Sequence, residues 1–142
     1  MKKILVPTDA SAYSQKALKA ALELARKFDS EVELFHVVEL PEVRLYSDRT
    51  LSHNDERQAQ LKHLGEQAIL ATLEGIDSSN VLLKKTSREG KPSKMILQKL
   101  EADNFDLIVM GSHGYGTIAG SILGSVSQRI LHESKCSVLI AK

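Results

Sequence analysis

The chain has 142 residues, 42% of them hydrophobic, which suits one domain with its own core better than two. Lys and Arg total 19 against 18 Asp and Glu, a net charge of +1 that argues against a dominant nucleic-acid footprint. One cysteine excludes an internal disulfide, and no run approaches the roughly 18 apolar residues of a membrane-spanning helix, so a soluble protein of the reducing cytoplasm is expected.

Met1-Lys2-Lys3 leads into apolar Ile4-Leu5-Val6, but Pro7-Thr8-Asp9 cuts the run, so it reads as a first strand and not as a signal peptide. Ala17, Leu18, Ala21, Leu22 and Ala25 then recur at three- and four-residue spacing, which predicts an amphipathic helix ended by Asp29-Ser30. Val32, Leu34, Phe35, Val37 and Val38 form the second strand. From Glu39 to Ser52 periodicity is lost, and the segment reads as a long loop placed to cover a site. A second helix is expected from Asn54 or Asp55, with Leu61, Leu64, Ala68 and Ala71 on one side, although Gly65 opposes it. Gly75 suits its end.

Val81-Leu82-Leu83 is the expected third strand, with Ser87 to Gly90 turning after it. Pro92 fits the first turn of a helix carrying Met95, Ile96, Leu97 and Leu100. Phe105 and Leu107 to Met110 give the strongest strand signal, and Val138 to Ala141 a fifth strand. Between them the chain is rich in glycine up to Gly124, and Ser125 with Gln128 matches a capping box that would start a helix at Ser125. Strands and helices alternate, and continuous apolar strands imply an α/β fold with a mostly parallel sheet covered on both faces.

Ligands of such sheets sit beyond the carboxyl ends of the strands, where strand order reverses. The informative residues delivered there are Gly111-Ser112-His113-Gly114 after a strand and Gly124-Ser125 before a helix. Glycines let main-chain N–H groups approach a ligand, and first-turn amides lack internal acceptors, so the segment suits a phosphate. Two other phosphate motifs fail on spacing. Gly114 and Gly116 are followed by Ala119 where a dinucleotide fingerprint needs glycine, and Gly90-Lys91 runs into Pro92 with Lys85 where a Walker loop needs its first glycine.

Gly111, two residues, Gly114, nine residues and Gly124-Ser125 resemble the ATP-binding signature of the universal stress protein family. Lys3 to Asp9, His36-Val37, Asp106 to Gly111 and Leu123 to Val126 are similar to other parts of the family pattern, so the resemblance spans essentially the whole chain. It implies an open five-stranded parallel sheet in the order 3-2-1-4-5 with ATP across strands one and four. Pro7, Thr8, Asp9 and Val37 would surround adenine and ribose, and Met110 and Gly111 would line the ribose side. Gly114, Gly124, Ser125, Val126 and Ser127 would hold the phosphates. It also implies a homodimer paired through the fifth strands, a regulatory role in stress response, and a single domain over 1–142. Ala10, where glycine or a larger apolar residue is common, and Ser137, where proline is common, depart from the pattern. Some family members lack the signature and do not bind ATP.

Other residues read more plainly. Asp9 could cap the first helix or serve the adenosine end with magnesium or manganese, the ion being held largely by phosphate oxygens. His113 is expected to face solvent, with Ser112, His113 and Asp9 not forming a nucleophilic triad. Arg129 sits too far along its helix for phosphate contact. The basic residues Lys84, Lys85, Arg88, Lys91 and Lys94 lack interleaved aromatics and read as a solvated edge. Cys136 reads as packing, and Tyr46 could lie over the site or in a dimer contact. The leading expectation is an ATP-binding regulator, with an unspecified protein partner and no membrane or nucleic-acid role. The alternatives are a slow ATPase or nucleotide hydrolase, and a nucleotide-free structural dimer.

Overall fold

The computed structural model describes residues 1–40, 52–116, 120 and 122–142. Most of the expected covering loop, with Tyr46, lies outside them. In chain order the elements are β1 (Lys3–Thr8), α1 (Ala12–Phe28), β2 (Glu31–Val38), α2 (Ser52–Leu73), β3 (Leu83–Glu89), α3 (Pro92–Ala102), β4 (Leu107–Gly111), α4 (Ser125–Glu133) and β5 (Ser137–Ala141). The strands form one parallel sheet in the order β3-β2-β1-β4-β5.

Side-chain alternation divides the core into two layers. Ile4, Val6, Val32, Leu34 and Val109 pack with Leu18, Ala21 and Leu22 of α1 and Ile69 of α2. Leu5, Phe35, Val37, Ile108 and Met110 face the other way, onto Ile96 of α3 and Ile130 of α4. Burial on both faces explains the unbroken apolar runs of β1 and β4. Ser11 caps α1 by accepting from the Ser14 N–H at 3.2 Å, and Asp29 closes the helix in the left-handed region, φ 53°.

Four elements differ from expectation. Strand β1 runs through Pro7 to Thr8 instead of ending at Val6. Its ladder with β4 stops at Leu5↔Ile108, while pairing with β2 continues to Thr8↔His36. Proline, which lacks an N–H, therefore enters only where the β4 ladder has ended. That divergence opens the crevice at the carboxyl ends of β1 and β4.

Strand β3 is Leu83–Glu89, not residues 81–83, and Leu82 is exposed. As an edge strand it needs no continuous apolar run. Main-chain pairing from Val32↔Leu83 to Val38↔Glu89 carries it across the segment expected to turn. In α2, which begins at Ser52, the buried stripe is Gly65, Ile69 and Thr72, and Ala71 is exposed. A Cβ on Gly65 would collide with the Ser87 side chain, so glycine lets the helix lie close against β3. Finally, Gly124 is the N-cap of α4, and Ser125 is its first helical residue.

Beneath α3, Lys99 is buried with its Nζ 2.7 Å from Glu33 Oε1 and 2.8 Å from Asp103 Oδ2. Thr86 Oγ1 donates to Glu33 at 2.6 Å from β3, and Lys84 lies 3.9 Å from the second carboxylate oxygen. Burial alone would lower the Lys99 pKa, but hydrogen bonds and attraction to Asp103 and Glu33 raise it above the ordinary lysine value.

Candidate functional site

A cleft of about 430 Å³ opens where β1 and β4 part. All eleven residues expected at a site line it: Pro7, Thr8 and Asp9 from the end of β1, Val37 from β2, Met110 and Gly111 from β4, Gly114 from the following loop, and Gly124, Ser125, Val126 and Ser127 from the start of α4. Phe35, Pro92 and Ile96 add apolar wall, and Ser14, Glu39, His113, Tyr115 and Gly116 also contribute. The cleft thus has an apolar half on strands and α3, and a main-chain half where β4 passes to α4.

The helix start is chemically distinctive. Gly124 makes no side-chain cap hydrogen bond, so the expected capping box is absent. Ser125 lies one residue too far into the helix to serve as its cap, and the first amides remain without intrahelical acceptors. Together with the helix dipole they form a donor end facing the cleft. Ser127 Oγ donates to the Gly111 carbonyl at 2.8 Å, which ties α4 to β4 and leaves Ser127 to offer its main chain to a ligand. The Gly124 N–H donates to the Ser112 carbonyl at 2.8 Å, and a Cβ there would stand 3.3 Å from His113 Cα. Gly124 therefore allows the loop and the helix start to approach closely.

Asp9 resolves the two roles expected of it differently from either. Ser11 is the cap of α1, and Asp9 braces the turn around it. Asp9 Oδ1 accepts from the Ser11 N–H at 3.0 Å and Ser14 Oγ at 2.8 Å, and Oδ2 accepts from the Tyr115 N–H at 2.9 Å. Burial raises its pKa, but these hydrogen bonds outweigh it and hold the carboxyl below its ordinary value. A Cβ on Gly114 would collide with this carboxylate. On Gly111 a Cβ would lie 2.7 Å from Tyr13 Cβ. These two glycines thus admit groups from the α1 end of the molecule.

Thr8 offers the cleft less than its position suggests. Its hydroxyl lies 2.7 Å from Thr72 Oγ1 of α2 and accepts from the Ala10 N–H at 2.9 Å. His36 Nδ1 is 2.7 Å from the Thr8 carbonyl; because a carbonyl only accepts, that nitrogen carries the proton. His113 is half-buried instead of solvent-facing, 3.0 Å from Ser112 Oγ and tilted against the Tyr13 ring at 5.4 Å. Asp9 is engaged by Ser11, Ser14 and Tyr115. Arg129 reaches Glu133 and Ser93, away from the cleft.

Sequence reading missed Phe35 and Ile96 because apolar residues of a cleft wall have the same pattern as core. It also missed Ser11 and Ser14, although a serine directly before a helical apolar pattern is a recognisable cap signal. Nothing local marked Tyr115. Among the described lining residues there are two carboxylates, Asp9 and Glu39, and neither lysine nor arginine. No group of three or more His, Cys, Asp or Glu among the described residues is placed to hold a metal ion. No described helix is long and apolar enough to cross a membrane.

The model of the universal stress protein family matches residues 1–142. A universal stress protein of Methanocaldococcus jannaschii is 34% identical over 142 residues, covering 99% of this chain and 82% of that protein. A solved hypothetical protein whose biochemical function was assigned from its structure is similar at TM-score 0.81 and 28% identity, covering 99% of this chain and 95% of that one. A universal stress protein solved in complex with cAMP shares the fold at TM-score 0.66 and 22% identity, covering 98% and 94%.

Proposed function

We propose that this chain, which belongs to the universal stress protein family, is an ATP-binding regulator of stress response. The observation that carries this reading is the pairing, in one cleft, of an apolar slot with a helix start whose amides lack a side-chain cap. Pro7, Phe35, Val37, Ile96 and Met110 supply surface for a flat base. Gly111 and the main chain of Thr8 border the ribose. The loop around Gly114 and the amides of Ser125, Val126 and Ser127 receive the phosphates.

Charge decides what must accompany the nucleotide. Asp9 and Glu39 bring negative charge to a cleft whose described lining residues include no Lys or Arg, so a triphosphate would need a cation. Asp9 already accepts three hydrogen bonds, which fits poorly with a protein-built metal cage. Magnesium or manganese would arrive on the phosphate oxygens as part of the ligand.

Calorimetry tests the reading. ATP with magnesium is expected to bind in the micromolar range, with affinity about tenfold weaker when the ion is removed, a difference of about 1.4 kcal/mol. Because a fold neighbour holds cAMP, cAMP and AMP are measured beside it. Tighter binding of cAMP would replace ATP as the ligand, and no binding of any adenine nucleotide at millimolar concentration would overturn the proposal. Equal ATP affinity with and without the ion would remove the cation.

The edge strand β5 carries exposed Leu139 and, among the described residues, pairs only with β4. We propose that a second copy pairs along it, because an uncovered apolar edge favours association. Sedimentation is expected to give a dimer at micromolar concentration; a monomer would overturn this interface.

A further inference from the structure

We propose that Tyr115 is a positioning residue that pins the glycine loop after β4 to the start of α1, setting the phosphate end of the cleft before a ligand arrives. Tyr115 is 75% exposed, so burial does not account for its placement. Both its hydrogen-bond donors nevertheless reach across the fold. Its N–H donates to Asp9 Oδ2 at 2.9 Å, and its hydroxyl donates to the Ala10 carbonyl at 3.0 Å.

The receiving turn is held from several sides. Ala10 has φ 66°, a region costly for a residue with a Cβ. Its N–H is fixed by Thr8 Oγ1, which meets Thr72 Oγ1 of α2. Asp9 is fixed by Ser11 and Ser14 at the start of α1. Tyr115 therefore fastens the loop to a turn that is itself held by hydrogen bonds.

The loop in turn sets the helix start. Gly114, before Tyr115, has no side chain to displace Asp9, and Gly116, after it, turns at φ 79°. Ser112 receives the Gly124 N–H, and Gly124 packs against His113. Fastening the loop at Tyr115 thus orders its approach to the first turn of α4. This lowers the ordering cost of binding, the usual source of affinity in a preorganised site.

The test compares full-length wild type with Tyr115→Phe, which keeps the ring and the N–H and removes only the hydroxyl. Hydrogen exchange of the ligand-free chain is expected to quicken about 3- to 10-fold over residues 111–116 and at Gly124, the scale of one hydrogen bond, with β1 unchanged. Stopped-flow release of ATP and magnesium, which rests on the proposed function, is expected to quicken by a similar factor. Unchanged exchange in the loop overturns the proposal whatever the nucleotide does. Faster exchange with unchanged ATP release and affinity also overturns it. Exchange that responds in a protein binding no adenine nucleotide supports the fastening and removes the proposed ligand.

Discussion

Two carboxylates, Glu33 on β2 and Asp9 at the end of β1, are drawn into the fold and held by different means. Glu33 on β2 meets a buried ammonium, Lys99, and a hydroxyl, Thr86. Asp9 at the end of β1 accepts from neutral donors of Ser11, Ser14 and Tyr115. The first arrangement joins β2, β3 and α3 and ends in itself. The second joins α1 to the loop bordering the cleft, and no Lys or Arg is among the cleft's described lining residues. A paired charge is scaffold, whereas a charge held by dipoles leaves its field at the site.

The largest effect is expected at Gly114. Gly114→Val would push the Asp9 carboxylate aside, and ATP affinity is expected to fall about 100-fold or more while the circular dichroism spectrum stays native. An affinity within threefold of wild type would show that Asp9's placement does not govern the cleft. Lys99→Ala should act the other way. It removes Glu33's buried ammonium, leaving Thr86 and the more distant Lys84, and is expected to cost about 3 kcal/mol in urea denaturation, with ATP affinity nearly unchanged under native conditions.

The pH dependence should separate the two regions further. The lowered Asp9 pKa gives stability that is present above its unfolded value, about 3.9, and is lost as pH falls through the lower folded value. The raised Lys99 pKa gives stability present below about 10.4 and lost as pH rises through its higher folded value. Hydrogen exchange should therefore show the loop at 111–116 loosening in acid and the β2–α3 contact loosening in base. The reverse order would contradict the assignment. The smallest effect is expected for Ala10→Gly. Relief of the positive φ, partly offset by glycine's unfolded-state entropy, should raise stability by about 0.5 kcal/mol in thermal melts.

Much of this architecture was legible without coordinates. The spacing of Ala17, Leu18, Ala21, Leu22 and Ala25 placed the buried face of α1, and the apolar run Leu107 to Met110 placed β4. Elements with less burial were the ones misjudged. Strand β3 is an edge held by main-chain pairing, so its Lys-Lys-Thr-Ser-Arg run carries no strand signature. In α2, Gly65 lowers local helix propensity yet permits contact with Ser87, a distant residue that no window around Gly65 contains. The capping box at Ser125 failed for a related reason: Gly124 is held by Ser112 and His113, which shifts the cap one residue earlier.

The residue pattern alone determined the alternation of strands and helices, the parallel covered sheet, and a glycine-rich passage from β4 to α4, because periodicity and glycine spacing express local backbone preferences and burial. Only the tertiary structure decided what those glycines accommodate and where the polar groups point. Gly114 borders Asp9, Gly111 borders Tyr13, and Tyr115 reaches Ala10 across 105 positions of the chain. Such contacts depend on how separate elements are brought together in space, and adjacency along the chain does not encode them.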